Sequence, residues 1–128
     1  MKSYILDTNV FLRYLLADIP DQMAAAKYHF VQAKLGKISL TIPVLVFVEA
    51  VYTLTKFYGI SKTEVVDKLR DVAQISYLNV EKRGILVNAL EDYKTAPISF
   101  VDLLLFYEAK ESNKELLTFD KKLAAHKR

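Results

Sequence analysis

The chain has 128 residues, a usual size for one domain, and its 52% hydrophobic and 26% charged residues are typical of a globular protein. The net charge of +3 is by itself only weak evidence for binding to a polyanion. Without cysteine, disulfides and thiolate metal sites are excluded, and no apolar stretch approaches the ~18 residues of a membrane span. The N-terminus lacks the long apolar region of a secretory signal, so we expect one compact cytoplasmic domain without membrane contact.

The first half of the chain predicts two strands and three helices. SYIL, which ends just before Asp7, is typical of a short buried strand, and DTN separates it from the helical pattern of VFLRYLL. A second helix is predicted from Pro20 to Gly36, and KISLTI follows as the second strand. After Pro43, VLVFVEAVYTLTKFY is apolar nearly all round, which indicates a helix buried on most sides with Glu49 in its middle.

The second half predicts three helices and two further strands. Ser61 opens a capping box and an amphipathic helix, after which ISYLNV is typical of a third strand. The spacing from 82 to about 95 is helical, and Ser99 can cap the next helix, FVDLLLFYEAKES, which carries Asp102 in its first turn. ELLTF is the predicted fourth strand and ends at Asp120. This alternation predicts a three-layer α/β/α sandwich with a central parallel sheet of about four or five strands.

Four acidic residues in this pattern are candidates for a functional site: Asp7, Glu49, Asp102 and Asp120. Asp7 and Asp120 follow predicted strands, and ligands of open parallel sheets bind beyond the carboxyl ends of the strands. Each of the two is also a favoured helix N-cap. Burying Glu49 would require a cation, either a metal ion or a Lys or Arg from across the fold. Asp102 could instead complete a capping box with Ser99.

The four acids predict more together than singly. Four carboxylates at one edge of a sheet would repel one another and destabilise the fold unless cations lie among them. Oxygen ligands without cysteine favour Mg²⁺ or Mn²⁺ over Zn²⁺. The two histidines, His29 and His126, belong to no catalytic grouping in the sequence, so acid–base work would fall to metal-bound water or to carboxylates.

A family resemblance lies in the same blocks. LDTNV, VFVEAVY, SFVDLLL and LLTFDKKL, in this order, resemble the PIN-domain ribonucleases over nearly the whole chain, and the compact form is most similar to VapC-type toxins. The resemblance implies hydrolysis of RNA by metal-activated water, with Mg²⁺ or Mn²⁺ held by all four acids. It also implies four polar residues that orient carboxylates or water, although each could simply be a turn or cap residue: Thr8, Asn9, Ser99 and Thr118.

The resemblance also implies partners: an RNA substrate, a small antitoxin protein, and a second copy of the chain in a homodimer. One departure concerns the sheet. Many PIN domains continue past the TFD helix into a further strand, whereas this sequence stops at KKLAAHKR. We therefore expect the last edge strand to be absent.

Other functions fit the acids less well. A PIN-type nuclease that processes RNA without being a toxin would have the same site. A haloacid-dehalogenase-like phosphatase needs a second aspartate two positions after the first, and that residue is Asn9 here. A receiver-like or protein-binding module that holds Mg²⁺ keeps its acids on loops, unlike Glu49 and Asp102 in their helical runs.

Overall fold

The computed structural model describes residues 1–127. Its three strands in this range are β1 (Lys2–Ile5), β2 (Ile38–Ile42) and β3 (Asn79–Val80). Its helices in the same range are α1 (Thr8–Leu16), α2 (Pro20–Lys34), α3 (Val44–Tyr52), α4 (Lys62–Ala73), α5 (Arg83–Tyr93), α6 (Phe100–Glu111) and α7 (Lys121–Ala125). A π-helical turn, Thr53–Phe57, continues α3. None of the described helices is long and apolar enough to cross a membrane.

The strands form a parallel sheet in the order β1-β2-β3, with β2 in the centre. Tyr4 lies opposite Leu40, and Ile42 lies opposite Val80. Helices connect each strand to the next, as parallel strands require. This confirms the predicted α/β fold with a central parallel sheet, and it is compatible with a three-layer α/β/α sandwich.

The core lies where the helices cover the sheet. Leu40 and Ile42 of the central strand are almost fully buried, as are Phe11 of α1 and Phe47 of α3, whose rings meet edge to face at 5.3 Å between centroids. The C-terminal end of α2 is determined by a glycine in the sequence. Gly36, at φ +74°, ends α2 in the left-handed conformation that glycine adopts without strain.

The sheet has three strands among the described residues rather than the four or five that we expected. The prediction of a fourth strand in ELLTF was wrong, because this segment has no regular structure. Leu117 and Phe119 are 96% and 101% exposed, so one face of the segment lies in solvent, while Leu116 and Thr118 on the other face are half-buried. One face therefore packs on the protein, but the backbone joins no strand.

The third strand is shorter than ISYLNV because residues 75–78 form a turn, and the Arg83 side chain binds carbonyl groups in and before this turn. The Arg83 guanidinium donates hydrogen bonds to the carbonyl oxygens of Ala73, Ile75 and Leu78 at 2.6, 2.9 and 2.6 Å. These groups are therefore satisfied by a cation at the start of α5 and not by a neighbouring strand. Only Asn79–Val80 pairs with β2.

Candidate functional site

Asp7 lies directly after β1 and occupies the N-cap position of α1 with an extended backbone, φ −83° and ψ 150°. An Asp in this place commonly accepts a hydrogen bond from the first turn of the helix. Within the described chain, however, the Asp7 side chain makes no capping bond. Its carboxylate is exposed beside the partly positive end of α1. Helix capping therefore does not account for Asp7.

Thr8 joins this end of α1 to α3. Its hydroxyl Oγ1 donates a hydrogen bond to Glu49 Oε1 at 2.9 Å, although the two residues are 41 positions apart in the sequence. Thr8 is half-buried, so its side chain is held by its surroundings. The contact places the Glu49 carboxylate next to the residue that follows Asp7.

Most of α3 is buried or half-buried as predicted, but Glu49 itself is exposed, so the prediction that its carboxylate is removed from water was wrong. Leu45 and Tyr52, four residues before and three after it, are 65% and 68% exposed, so α3 presents a solvent-facing stripe at helical spacing. No Lys or Arg in residues 1–127 forms an ion pair with Glu49. Burial therefore does not demand a cation here, but the alternative of a protein ion pair also fails within this range.

Asp102 is half-buried in the first turn of α6. Its backbone N–H donates to Ser99 Oγ at 3.2 Å, which confirms the predicted N-cap of α6. In the described structure the Asp102 carboxylate neither returns a bond to the Ser99 N–H nor pairs with a cation. Ser99 and Glu49 line one cavity of about 410 Å³, so the start of α6 lies close to the exposed face of α3.

Asp120 is explained by helix capping. One carboxylate oxygen accepts from Leu123 N–H at 2.9 Å, and the Asp120 N–H donates to Thr118 Oγ1 at 3.0 Å. Because the fourth strand is absent from the described residues, Asp120 does not lie at the end of a strand as we predicted. Asn9 is exposed and lines a separate cavity of about 240 Å³ between α1 and α2.

The donor chemistry of these residues fits Mg²⁺ or Mn²⁺, since carboxylate and hydroxyl oxygens are the ligands that both ions prefer. The described geometry does not by itself form a coordination sphere. Within residues 1–127, no three Asp, Glu or His side chains lie close enough together to hold a metal ion. Thr8, the residue after Asp7, donates to Glu49, and Glu49 shares a cavity with Ser99, which lies three residues before Asp102, whereas no described contact links Asp120 to these residues.

The sequence reasoning missed one acidic residue with a clear structural partner. Asp92 on α5 is 2% exposed and accepts hydrogen bonds from the Tyr107 hydroxyl at 2.9 Å and, at 2.7 Å, from His126 Nε2. Asp92 lies three residues after buried Ala89, a spacing that puts both on the core side of α5. That spacing was the available signal, but His126, 34 residues further on, could not be paired with it from sequence.

Among its described residues the protein has a short parallel sheet flanked by helices, with acidic residues at or near the starts of α1 and α6 and on the exposed face of α3. It is therefore a small α/β protein with an acidic site. The PIN domain family matches residues 4–128, and the chain belongs to this family. PIN domains are generally metal-dependent nucleases and usually use Mg²⁺ or Mn²⁺. Comparisons with curated proteins and with solved structures gave no match. The predicted resemblance is thus confirmed at the level of the PIN domain.

Proposed function

We propose that the protein is a Mg²⁺- or Mn²⁺-dependent endoribonuclease that hydrolyses phosphodiester bonds with water as the attacking group. One observation carries the proposal: the Thr8–Glu49 hydrogen bond holds a carboxylate at the residue that follows Asp7, and neither acid has a capping or cationic partner within residues 1–127. Membership of a family of metal-dependent nucleases supports this use of the two acids.

In this proposal Asp7, Glu49 and Asp102 supply the oxygen atoms that hold the metal. A bound divalent cation lowers the pKa of water and stabilises the negative charge on the phosphate oxygens. Thr8 keeps the Glu49 carboxylate in one orientation, and Ser99 fixes the first turn of α6 on which Asp102 lies. Both α1 and α6 begin at this site, so their backbone N–H groups favour an anionic phosphate there.

Asp120 is proposed as a fourth ligand on the family resemblance alone. Its Oδ1 atom is occupied by the Leu123 N–H, which leaves its other oxygen for a cation. Thr118, whose hydroxyl accepts from the Asp120 N–H, would fix this turn, and Asn9 would orient water beside Asp7. These three assignments have less structural support than those of Asp7, Glu49 and Asp102.

The chemical form of the RNA ends tests this function. Purified protein is incubated with RNA and Mg²⁺, and the products are sequenced by methods that separate 5′-phosphate from 5′-hydroxyl ends. Attack by water yields 5′-phosphate and 3′-hydroxyl ends and is blocked by EDTA. A 2′,3′-cyclic phosphate product, or full activity in EDTA, would overturn the proposal. The Asp102→Asn variant, purified in parallel, controls for contaminating nucleases.

We further propose that the nuclease is the toxin of a toxin–antitoxin pair, as the similarity to VapC-type toxins implies. The antitoxin would be a small protein that inserts a basic side chain among carboxylates that have no Lys or Arg partner within residues 1–127. Induced expression should arrest growth, and co-expression of the neighbouring small reading frame should relieve the arrest. Expression without arrest favours a processing nuclease. Sedimentation of the purified protein tests the proposed homodimer.

A further inference from the structure

The largest cavity described above opens directly beside Glu49. Its volume is about 410 Å³, within the range of sites that hold small organic groups. Its lining is mostly apolar and includes Phe100 at the start of α6. Two aromatic rings, Tyr52 and Tyr93, form further walls, and Lys56 is the only cationic residue among the lining residues described. The cavity therefore combines a mostly apolar lining, aromatic faces, one cation and a candidate metal ligand.

Tyr52 has the placement of a stacking platform. It lies three residues after Glu49 on the same exposed stripe of α3, about 5 Å further along the helix axis. Its side chain is 68% exposed, and in a residue of the core such an exposed ring would be unusual. The helix widens into the π-helical turn Thr53–Phe57 immediately after Tyr52, and turns of this kind are frequent at functional sites.

Lys56 lies on that π-helical turn, four residues after Tyr52, and is exposed. Within the described range it forms no ion pair, whereas Lys82 and Lys94 are paired with Glu108 and Asp67. Its ammonium group is therefore available to an anion from outside the chain. Glu49, Tyr52 and Lys56 follow one another along α3 and its π-helical continuation, and all three line the cavity.

Tyr93, another lining residue of the cavity, is in contact with Lys62. The Lys62 ammonium lies 4.4 Å from the centre of its ring and donates to the carbonyl of Ala96 at 3.1 Å. Burial of this side chain raises the pKa of Tyr93 above its ordinary value. Tyr93 therefore contributes a ring to the cavity lining that is in contact with Lys62.

We propose that this cavity binds one nucleobase of single-stranded RNA next to the phosphate that is cleaved, with the base stacked on Tyr52 and a neighbouring phosphate bound by Lys56. The inference rests on the proposed function, because it assumes that Asp7 and Glu49 lie at the reacting phosphate. An aromatic face next to a cation is the pairing that single-strand binders use, and a base is free to stack only when it is unpaired.

Affinity for a short fluorescent RNA tests the proposal. All variants are made in the Asp102→Asn protein, so that the RNA stays intact in Mg²⁺, and Kd is measured by anisotropy over a range of salt concentrations. Tyr52→Ala should weaken binding about tenfold or more, and Tyr52→Phe, which keeps the ring, should stay within about twofold. Lys56→Ala should reduce the slope of log K against log salt by about one.

The matched controls are two neighbouring residues on α2. Tyr28, 59% exposed, and Lys27, also exposed, lie outside the cavity lining, and their alanine variants should leave Kd and the salt slope unchanged. RNA that carries a photoreactive uracil should crosslink to Tyr52 when the probe is single-stranded. A fully paired duplex should give no Tyr52 crosslink and no loss of affinity on Tyr52→Ala.

Failure of this inference and failure of the nuclease proposal give different results. If the wild-type protein cleaves RNA to 5′-phosphate ends but Tyr52→Ala binds RNA as tightly as its parent, only the base site is overturned. If RNA binding depends on Tyr52 but no cleavage occurs, only the nuclease is overturned. A Tyr52→Ala variant that dissociates a dimer, or loses a protein partner, without a change in RNA affinity also overturns the base site.

Discussion

Two groups of carboxylates in this protein have opposite surroundings. Asp92 is 2% exposed and is satisfied by Tyr107 and His126 of its own chain. Asp7 and Glu49 lie in solvent at the carboxyl end of β1, and of their hydrogen bonds the structure describes one, from Thr8 to Glu49. A buried carboxylate with protein donors stabilises the fold, whereas exposed carboxylates without a cationic partner are available to a ligand from outside.

The difference follows from the cost of removing a charge from water. Asp92 could be buried only because donors compensate its desolvation, and these donors tie α5 to α6 and to the end of the chain beyond α7. Asp7 and Glu49 keep their hydration and require no such compensation. We therefore expect substitutions at Asp92 to lower stability and substitutions at the exposed acids to lower activity.

The largest effect is expected at the proposed metal ligands. Asp7→Asn and Asp102→Asn should each lower Mg²⁺-dependent RNA cleavage about a hundredfold or more, because a metal ion contributes several kcal/mol to such reactions. Stability to urea should change by less than about 1 kcal/mol, since neither carboxylate has a capping bond or cationic partner within residues 1–127. Initial cleavage rates and urea unfolding curves measure both. Full activity in either variant would remove that residue from the site.

Next in size is the loss of stability at the buried acid. Asp92→Ala should lower the free energy of unfolding by about 3 kcal/mol, because Tyr107 and His126 lose a buried partner. Asp71 on α4 is the control, since its side chain is 76% exposed, and Asp71→Ala should stay within about 0.5 kcal/mol. Urea titrations of the three proteins give the comparison. Equal midpoints for Asp92→Ala and Asp71→Ala would contradict the structural role of Asp92.

A smaller effect is expected at the residue that orients Glu49. Thr8→Val keeps the shape of the side chain and removes the hydroxyl that donates to Glu49 Oε1. Losses of this kind lower metal affinity or activity about 10- to 100-fold, and Thr8→Ser should keep most of the activity. Cleavage rates over a Mg²⁺ titration separate weaker metal binding from slower chemistry. If the Val and Ser variants behave alike, the hydroxyl has no orienting role.

The smallest effect compares two helix caps. Ser61 and Ser99 each accept a hydrogen bond from the N–H three residues on, at 3.3 and 3.2 Å. Replacing either by alanine should therefore cost about 1 kcal/mol of stability. Only Ser99→Ala should also lower cleavage, because Ser99 lies beside Glu49 and Asp102. Activity that falls equally in both variants, in proportion to stability, would assign Ser99 a capping role only.

Local signals allowed most of the fold to be predicted. Both serine caps, the glycine that ends α2 and the first two strands lie where short-range patterns place them. The third strand is shorter than predicted because residues 75–78 form a turn, and no local pattern reports the contact of Arg83 with carbonyl groups in and before this turn. ELLTF alternates like a strand, but a strand also needs a partner, and pairing is decided by the tertiary fold.

The candidate site was predicted less evenly. The sequence blocks around Asp7 and Asp102 correctly singled out two acids that helix capping does not explain. Within residues 1–127 the Asp7 side chain makes no capping bond, and the capping box of Ser99 and Asp102 is only half formed. Glu49 is exposed and not buried as predicted, since an apolar run of residues does not reveal which stripe of a helix faces solvent. The capping alternative for Asp120 is fully formed. Residues far apart in sequence, such as Thr8 and Glu49, meet only through the fold.

Metal-dependent thermal stability tests most directly whether the exposed carboxylates hold a divalent cation. The unfolding midpoint is measured against Mn²⁺ concentration for the wild-type protein, Glu49→Gln and Asp71→Ala. A cation that binds only the folded state adds about 2.7 kcal/mol of stability at a hundred times its Kd. We predict a rising midpoint for the wild type and Asp71→Ala, and a much smaller rise for Glu49→Gln. The same rise in all three proteins, or none in the wild type, would contradict the account.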